Sequence, residues 1–353
     1  MKIGIDARPL TGKLTGIGTY VYALLEELSR QDSENEYVLY AHKPLITPAF
    51  ANPRFRVALY PSKVGTLGYC LKMPRLLKQD GIEVFWGTAH VLPFFNTQIR
   101  YLLTMHDLTV YRYPKSMGLY NYCVNRLLVP FSFRKADRLI AVSESTRREI
   151  EAFLGVAPLT VIHEAASSYF IPREMKKGVP YMLYVGTVEP RKNLITLLKA
   201  YGQALQEGHK LPKLVIAGKK GWKSENIYAL AKTLPVEFLG YIDDKTKLEL
   251  YNGADFFVYP SLYEGFGLPV LEAMQCGLPI ISSNSSSLPE VVGDAGLLFD
   301  PLDEKALKEH LIALSTSSEL CLELRAKSLE QARKFSWAKS AEQLMKALQE
   351  LRL

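Results

Sequence analysis

The stretch that decides the fold runs from Tyr259 to Ser283 and reads YPSLYEGFGLPVLEAMQCGLPIISS. An apolar strand ends at its first residue, and a glycine-rich loop follows before a helix predicted from about Gly267 to Gly277. Glycines at a helix start let a ligand approach backbone N–H groups, which favour anions. Glu264 in the loop and Glu272 in the helix supply carboxylates that bind hydroxyls. The stretch therefore predicts a site for a ligand with phosphates and hydroxyls, such as a nucleotide sugar.

The composition is that of an ordinary globular enzyme. The chain has 353 residues, enough for two α/β domains with their own cores. Its four cysteines form no CxxC pair, which favours a reducing compartment. The first residues enter a strand directly, so no signal peptide is expected, and no apolar run reaches the roughly 18 residues of a membrane span. We expect a cytoplasmic protein, either free or peripheral at the inner face of the cell membrane.

Positive charge is concentrated in the N-terminal half. Of the net charge of +7, residues 1–170 carry all but one. Such a surplus suits an anionic membrane surface or an anionic acceptor, although a merely soluble surface explains it equally well.

Strands and helices alternate along most of the chain, which predicts mostly parallel sheets covered by helices on both faces. A polar stretch with proline and glycine precedes a new strand at 181–185. We predict an α/β protein with two Rossmann-like domains facing across a cleft, 1–170 and 171–335. A final helix within 336–353 is expected to cross back to the N-terminal domain.

Three N-terminal features are candidates for ligand contact. Gly16 and Gly18 lie in a loop between the first strand and a helix predicted from about Thr19, where they face a phosphate or simply form a tight turn. His106 follows a strand, at the edge where parallel sheets bind ligands, or is an ordinary loop histidine. Residues 111–138 interleave aromatic and basic side chains, which fits anionic lipid or a lipid-linked substrate, although many of the aromatics also suit a core. No nucleic-acid-binding module is visible, and no nucleic-acid partner is expected.

Arg191 and Lys192 stand where a helix is about to begin. Cations there oppose the helix dipole, which favours anions by about 0.3–1 kcal/mol. A diphosphate between them would remove the conflict, with arginine gripping it in bidentate fashion; a solvated basic turn is the alternative. The spacing of Glu264 and Glu272 is weak as chemistry alone, since one capping and one surface glutamate would look the same.

No Asp-x-Asp, HExxH or Cys/His metal spacing occurs in the sequence, so we predict neither a metal site nor a cofactor.

Several motifs in this order resemble the retaining glycosyltransferases of family 4 (group 1), which have the GT-B fold. In the C-terminal half these are GTVEPRKN, FLGYIDD, PSLYEGFGLPVLEAMQCGLPII and LPEVVGDAG. The N-terminal half adds IDARPLTGKLTGIGTY and HDL, and the chain closes with FSWAKSAEQL. The resemblance spans essentially the whole chain and is more specific in the C-terminal half.

The resemblance implies a role for each matching residue. Arg191 and Lys192 would bind the donor diphosphate and stabilise the leaving group, Glu264 would contact the donor sugar, and His106 would touch the transferred sugar. The remaining donor-binding positions are Gly16, Gly18, Gly186, Gly240, Tyr241, Ile242, Gly265, Phe266, Gly267, Leu268 and Glu272, the last binding the ribose. Transfer would retain configuration by front-face attack, with the donor phosphate taking the acceptor proton and no metal required.

The chain departs from many relatives at the linker, where it reads His163-Glu-Ala-Ala-Ser167 instead of an Asn-Gly-Val-Asp type sequence. The hinge contacts are therefore not carried over.

The opening motifs resemble relatives that use GDP-mannose in surface polysaccharide synthesis, so a mannosyltransferase with a glycan or lipid-linked acceptor is the favoured function. UDP-sugar or dTDP-rhamnose donors, and a non-catalytic nucleotide-sugar-binding protein, are the alternatives. The acceptor, the linkage and the oligomeric state are not predicted.

Overall fold

The computed structural model describes residues 1–12, 14, 16–46, 50, 52–60, 65–94, 98–114, 118–174 and 178–352. The chain divides into two compact units, one formed by 1–164 together with 336–353 and the other by 165–335.

The first unit is built on a fully parallel sheet. Its strands are β1 (Lys2–Asp6), β2 (Glu36–Ala41), β3 (Phe55–Leu59), β4 (Val84–Gly87), β5 (Arg100–Met105), β6 (Arg138–Ala141) and β7 (Leu159–Val161). Its helices are α1 (Gly16–Gln31), α2 (Gly65–Gln79), α3 (Thr109–Arg112), α4 (Leu119–Lys135), α5 (Glu144–Leu154) and, from the C-terminus, α13 (Trp337–Gln349). Among the described residues the strand order is β3-β2-β1-β4-β5-β6-β7, so the chain direction across the sheet reverses between β1 and β4.

The second unit repeats this architecture. Its strands are β8 (Tyr181–Val185), β9 (Lys213–Ala217), β10 (Val236–Gly240), β11 (Phe256–Tyr259), β12 (Ile280–Ser283) and β13 (Gly296–Phe299). Its helices are α6 (Leu194–Gln206), α7 (Glu225–Ala231), α8 (Asp244–Gly253), α9 (Leu268–Gln275), α10 (Leu288–Val292), α11 (Glu304–Thr316) and α12 (Ser318–Ala332). The order β10-β9-β8-β11-β12-β13 places the reversal between β8 and β11. Ligands of doubly wound sheets bind at the carboxyl ends of the strands beside such a reversal.

The predicted α/β fold is confirmed, with two parallel-sheet units. Apolar strands such as Phe256–Tyr259 are completely buried because helices cover both faces of the sheet. The structure differs from the sequence prediction at the join between the units. Residues after 164 already belong to the second unit, where the side-chain amide of Gln275 donates to the carbonyls of Ser167 and Phe170 at 2.8 and 2.7 Å.

The last helix packs within the first unit. Trp337, Ala341 and Leu344 of α13 are buried, and the Trp337 ring meets Tyr20 of α1 edge-on at 5.9 Å. Ser340 donates to the carbonyl of His163 at 2.7 Å. The helix therefore completes the core of a unit that is otherwise formed by residues 1–164.

In the part of the chain that is described, no helix is both long and apolar enough to cross a bilayer.

Candidate active site

The loop between β8 and α6 brings two cations to the carboxyl edge of the second sheet. After β8 the chain forms a short 3₁₀ turn, Pro190–Lys192, and α6 begins at Leu194. Asn193 between them has a left-handed backbone, φ 57°, a conformation that asparagine adopts more readily than most non-glycine residues. Its side-chain amide donates to the carbonyl of Pro301 at 2.7 Å and its side-chain oxygen accepts from Thr196 at 2.8 Å. The turn is therefore fixed by side chains on both sides.

Glu264 lies between the two cations. The Lys192 ammonium donates to Glu264 Oε1 at 2.5 Å, and Arg191 Nη1 lies 3.4 Å from Oε2. Ser261 also donates to Oε1 at 2.5 Å. Because Oε1 already accepts two short bonds and Oε2 one long contact, Oε2 keeps more capacity to accept hydrogen bonds from a ligand.

Arg191 has protein partners on each side of its guanidinium. It donates to the carbonyl of Tyr263 at 2.6 Å and pairs with Glu189 at 2.8 Å. Carboxylates of the protein therefore already relieve the conflict between these cations and the helix dipole, and binding of a diphosphate by them stays a prediction. Glu189 and Glu264 supply two carboxylates for two cations, and the cluster is neutral as it stands.

Burial and pairing shift the charges in this cluster. Burial lowers the pKa of Lys192 below its usual value, and the nearby Glu264 offsets only part of that effect. Burial alone would raise the pKa of Glu264, but Lys192 and Arg191 outweigh it and the pKa is lowered. The carboxylate is therefore held ionised at the site.

Lys192 packs against a row of buried aromatic rings. Its ammonium donates to the Tyr259 hydroxyl at 2.7 Å and lies 5.1 Å from the centre of that ring. Tyr259 stacks between Tyr184 and Phe257, with ring centres 5.7 and 5.8 Å away. These buried strand residues fix the height of the cation above the sheet.

The loop that carries Glu264 is held by serines. The backbone N–H of Glu264 donates to Ser286 at 2.8 Å, and Ser287 donates to the carbonyl of Phe266 at 2.6 Å. Ser286 has φ 50°, a second left-handed non-glycine residue beside the cluster. Strain of this kind persists where the surrounding structure over-determines a loop.

Glu272 forms a separate cluster on α9. It accepts from Lys247 at 3.0 Å and from the Tyr251 hydroxyl at 3.0 Å. Burial raises the pKa of Glu272, and Lys247 and Tyr251 offset this in part. The residue is 8 % exposed, and both of its carboxylate oxygens already accept from protein donors.

The predicted glycines lie at the same edge of the second sheet. Gly186 follows β8 and Gly240 ends β10, and Gly240 accepts from the N–H of Gly218 at 2.7 Å. A Cβ on Gly218 would lie 1.9 Å from the carbonyl oxygen of Gly186, so only glycine fits there. The sequence prediction missed Gly218, although it follows the strand LVIA in the way Gly186 follows LYV.

The remaining predicted donor positions divide into exposed and buried. Tyr241 is 63 % exposed and Ile242 partly so. Gly265 and Leu268 are partly exposed, whereas Phe266 and Gly267 are buried. Gly267 precedes α9 and has φ 118°. Because glycine has no side chain, it cannot cap the helix start, and no side-chain cap is present there within the described range 178–352. The helix start agrees with the prediction to within a residue.

In the first unit, Gly16 and Gly18 are not in a loop as expected. α1 begins at Gly16, so both glycines belong to its first turn. Gly16 is exposed with open space around it, whereas a Cβ on Gly18 would lie 2.9 Å from the carbonyl oxygen of Pro9. Close packing against Pro9 explains Gly18 without a ligand.

His106 follows β5 and is buried, 6 % exposed. Its Nε2 donates to the carbonyl of Thr88 at 2.9 Å, and its Nδ1 lies 3.4 Å from Glu164 Oε1. Tyr20 meets the ring edge-on at 4.8 Å. The sequence prediction missed Glu164, although the departure at His163–Ser167 marked that segment as unusual.

The aromatic and basic stretch 111–138 is divided between core and surface. Phe133 is buried, and Tyr111 stacks on Phe153 at 5.4 Å. Tyr120 and Leu127 of α4 are 66 % and 73 % exposed. Lys115 lies outside the described residues. The interpretation as core therefore holds for part of the stretch, whereas lipid contact by the exposed part stays a prediction.

Nowhere in the described ranges do three or more His, Cys, Asp or Glu side chains come together as a metal site would require.

Comparison with known proteins identifies the family. The model of "Glycosyl transferases group 1" matches residues 169–351, and that of "Glycosyltransferase Family 4" matches residues 14–166. The chain is 31 % identical to the O-antigen chain mannosyltransferase B of Escherichia coli, over 98 % of this chain and 99 % of that protein. It is 31 % identical to the serotype-specific mannosyltransferase WbdA of Escherichia coli over 71 % of this chain, a match that spans 33 % of the relative.

A solved structure agrees in fold. Sucrose-phosphate synthase from Thermosynechococcus elongatus superposes with a TM-score of 0.81 over 99 % of both chains, at 19 % identity. Together with the two family matches, this likeness leads to one conclusion. The chain belongs to the group 1, family 4 glycosyltransferases and has the GT-B fold.

Proposed function

We propose that the protein is a retaining hexosyltransferase that moves mannose from GDP-mannose to a glycan or lipid-linked acceptor during the synthesis of a surface polysaccharide. The observation that carries the proposal is the cluster of Arg191, Lys192 and Glu264 at the carboxyl edge of the second sheet. The choice of mannose is supported by relatives that are named mannosyltransferases, one of them for the O-antigen chain.

Arg191 is the cation that an entering diphosphate reaches first. Its side chain is 20 % exposed, whereas that of Lys192 is 9 % exposed. Arginine can exchange Glu189 for two phosphate oxygens and keep a bidentate geometry. Lys192 is more deeply buried and acts as a fixed positive charge. Both cations then stabilise the negative charge that develops on the leaving diphosphate.

The two glutamates accept hydrogen bonds from hydroxyl groups of the donor. Glu264 offers Oε2 to the hydroxyls of the donor sugar while Lys192 and Ser261 hold its other oxygen. Glu272 binds the ribose by exchanging one of its bonds to Lys247 or Tyr251 for a hydroxyl. Gly240, Tyr241 and Ile242 lie beside the nucleobase in this assignment, and the backbone of 265–268 lies beside the sugar.

Attack on the same face as the departing diphosphate needs no protein base, because a donor phosphate oxygen takes the acceptor proton. The predicted roles of His106, Gly16 and Gly18 remain predictions. No metal enters this scheme, and transfer should continue in EDTA; complete loss of transfer in EDTA would refute a metal-independent reaction.

A thermal-shift panel with GDP-mannose, UDP-glucose, UDP-GlcNAc and dTDP-rhamnose tests the donor. A ligand that binds only the folded protein raises the free energy of unfolding, by about 2.7 kcal/mol at a ligand concentration of one hundred times its Kd. The melting temperature rises as a result. We expect GDP-mannose to give the largest shift. A larger shift with a uridine or thymidine sugar would replace the donor, and a shift without turnover on any acceptor would favour a non-catalytic binding protein.

We also propose peripheral contact with the inner face of the cell membrane through α4. Leu119, Tyr120 and Leu127 are exposed on this helix, which contains no acidic residue. A pocket of about 810 Å³ at its end is lined by Phe131, Arg134 and Lys135 among others. Apolar and cationic side chains together suit anionic lipid. Vesicles with anionic lipid should therefore bind the protein at low salt and release it at high salt; no binding at low salt would refute the contact.

A further inference from the structure

Three neighbouring strands of the first sheet end in polar side chains at one edge. Arg8 follows β1, His42 follows β2 and Tyr60 follows β3. The backbone ties these ends together, since the N–H of Ala7 donates to Tyr40 and the N–H of Tyr60 donates to Ala41, both at 2.9 Å. Because the strands are parallel, the three side chains stand at the carboxyl edge, where α/β sheets bind ligands.

Two of these side chains carry buried polar atoms without a partner. Across the residues that the structure describes, neither the Tyr60 hydroxyl nor His42 Nδ1 has a hydrogen-bond partner. Tyr60 is only 4 % exposed. Buried polar groups are nearly always paired in native proteins, so each exception calls for an explanation. A ligand that supplies the missing partners is such an explanation.

Arg8 is held rigidly beside them with one side of its guanidinium unused. Its Nε and Nη2 donate to the fully buried Asp6 at 2.8 and 2.6 Å. The Tyr69 ring lies 3.4 Å from the guanidinium carbon and covers one face. Within the described ranges, Nη1 donates to no protein group. A guanidinium fixed on two sides is pre-organised to donate from the third.

The charge balance of this group selects a neutral ligand. Asp6 neutralises Arg8 at the site. Burial, together with the charges of Lys43 and Arg8, lowers the pKa of His42, so its imidazole is neutral at pH 7. Burial likewise raises the pKa of Tyr60, which keeps its hydroxyl protonated. Arg8, His42 and Tyr60, taken together with Asp6, therefore carry no net charge, and the charged neighbour Lys43 is exposed. Sugar hydroxyls need only the donors and acceptors that these side chains supply.

The group is joined to His106 through a single residue. The Thr88 hydroxyl donates to the carbonyl of Asp6 at 2.6 Å, and the Thr88 carbonyl accepts from His106 at 2.9 Å. Thr88 follows β4, the strand beside β1 at the reversal of the sheet. The three polar side chains therefore lie along the same edge as His106.

We propose that Arg8, His42 and Tyr60 bind the sugar of the acceptor that receives the transferred residue, and that they recognise it through its hydroxyl groups. This assignment rests on the proposed glycosyl transfer and adds to it the chemical class of the acceptor group, a neutral sugar.

Steady-state kinetics with octyl glycosides of mannose, glucose, galactose and N-acetylglucosamine test the site. The measured quantity is release of nucleoside diphosphate from the donor, with and without each glycoside. We expect Tyr60→Phe and His42→Ala to raise the KM for the best glycoside about 3- to 10-fold, the loss of one neutral hydrogen bond. The KM for the donor and its slow hydrolysis without acceptor should not change.

If Tyr60 had a purely structural role, the KM for the glycoside would not rise in Tyr60→Phe. Removing an unpaired buried hydroxyl should leave the melting temperature unchanged or higher, so a kinetic effect would not come from misfolding. Tyr22→Phe on α1, where the ring stacks on Phe50 at 5.9 Å, is the matched control and should keep the wild-type KM. An unchanged glycoside KM in both variants, or no acceleration by any of the four glycosides, would overturn the assignment.

If the wild-type protein releases no nucleoside diphosphate either with or without a glycoside, the proposed transfer fails rather than the acceptor site. Saturation-transfer NMR with the same glycosides then tests the site without turnover. Signals that weaken in Tyr60→Phe but persist in Tyr22→Phe would support it, and equal signals in all proteins would refute it.

Discussion

Replacing Glu264 by glutamine separates the two tasks assigned to this carboxylate, which are to balance the buried cations and to read the donor sugar. The side chains of Glu264 and Lys192 are 11 % and 9 % exposed, so solvent screens their pairing little. Removing one partner of such a pair costs about 3–5 kcal/mol, because the other charge is left buried. The glutamine carbonyl still accepts a hydrogen bond, so we expect about 3 kcal/mol. For a unit of this size that lowers the melting temperature by about 6–12 °C.

Glu237→Gln is the control for this substitution. Glu237 pairs with Lys213 in the same unit at the same 2.5 Å, but both side chains are 40 % or more exposed. An exposed pair contributes about 0–1 kcal/mol, so this variant should melt close to wild type. Equal melting temperatures for the two variants would refute the account of the buried pair.

The difference between wild type and Glu264→Gln should depend on pH. The pKa of Glu264 lies below its usual 4.5, so its ionised form adds stability above that pH. This stability is lost as the pH falls through the lowered value, when the folded carboxylate takes up a proton. Urea unfolding at pH 7 and pH 3 should show the gap between the two proteins narrowing at the lower pH; a constant gap would contradict the ionised state.

Ligand binding tests the second task. Without Glu264, two cations face only Glu189, so the affinity for GDP, measured by calorimetry, should not fall. The preference for GDP-mannose over GDP should fall, because the sugar hydroxyls lose their acceptor. Equal losses for GDP and GDP-mannose would refute the role of Glu264 as reader of the sugar.

Three further substitutions test other parts of the second unit. Arg191→Ala should lower kcat about 100-fold, the usual loss for one group that stabilises developing charge; full turnover in a stopped assay would exclude this role. Glu272→Gln should remove the loss of GDP affinity that wild type shows as the pH falls from 7 toward 4.5, the usual glutamate value, because burial raises the pKa of Glu272 above that value and protonation ends its binding as a carboxylate; identical pH profiles by titration calorimetry would contradict this. Gly218→Ala should prevent folding or lower the melting temperature by more than 10 °C, because its Cβ would collide with the Gly186 carbonyl; a wild-type circular dichroism melt would show that the loop can move.

The sequence predicts the sheets well because buried parallel strands are continuous apolar runs. Phe256–Tyr259 and Tyr181–Val185 are examples, and the glycines at their ends mark the carboxyl edge. The position of Glu264 in a loop ahead of its helix is also readable from composition. These features depend on neighbours in the chain, which a sequence displays directly.

The pairings within the site could not be read in the same way. Glu189 and Glu264 neutralise Arg191 and Lys192, yet the sequence alone suggested a missing anion. Arg8, His42 and Tyr60 meet only because β1, β2 and β3 are adjacent, and strand order is not written in any local pattern. Contacts between distant segments depend on topology, and the sequence shows the residues without showing which strands are neighbours.

The division of the first unit between both ends of the chain has a consequence for synthesis. Trp337 and the other buried residues of α13 leave the ribosome after the whole of 165–335 has been made. At about 5–20 residues per second that delay is roughly 10–30 s. The second unit can therefore finish folding while the first still exposes the apolar groove on α1 that α13 will fill. A stop codon before residue 336 would leave the early half of the protein permanently incomplete, although every residue of its sheet would be present.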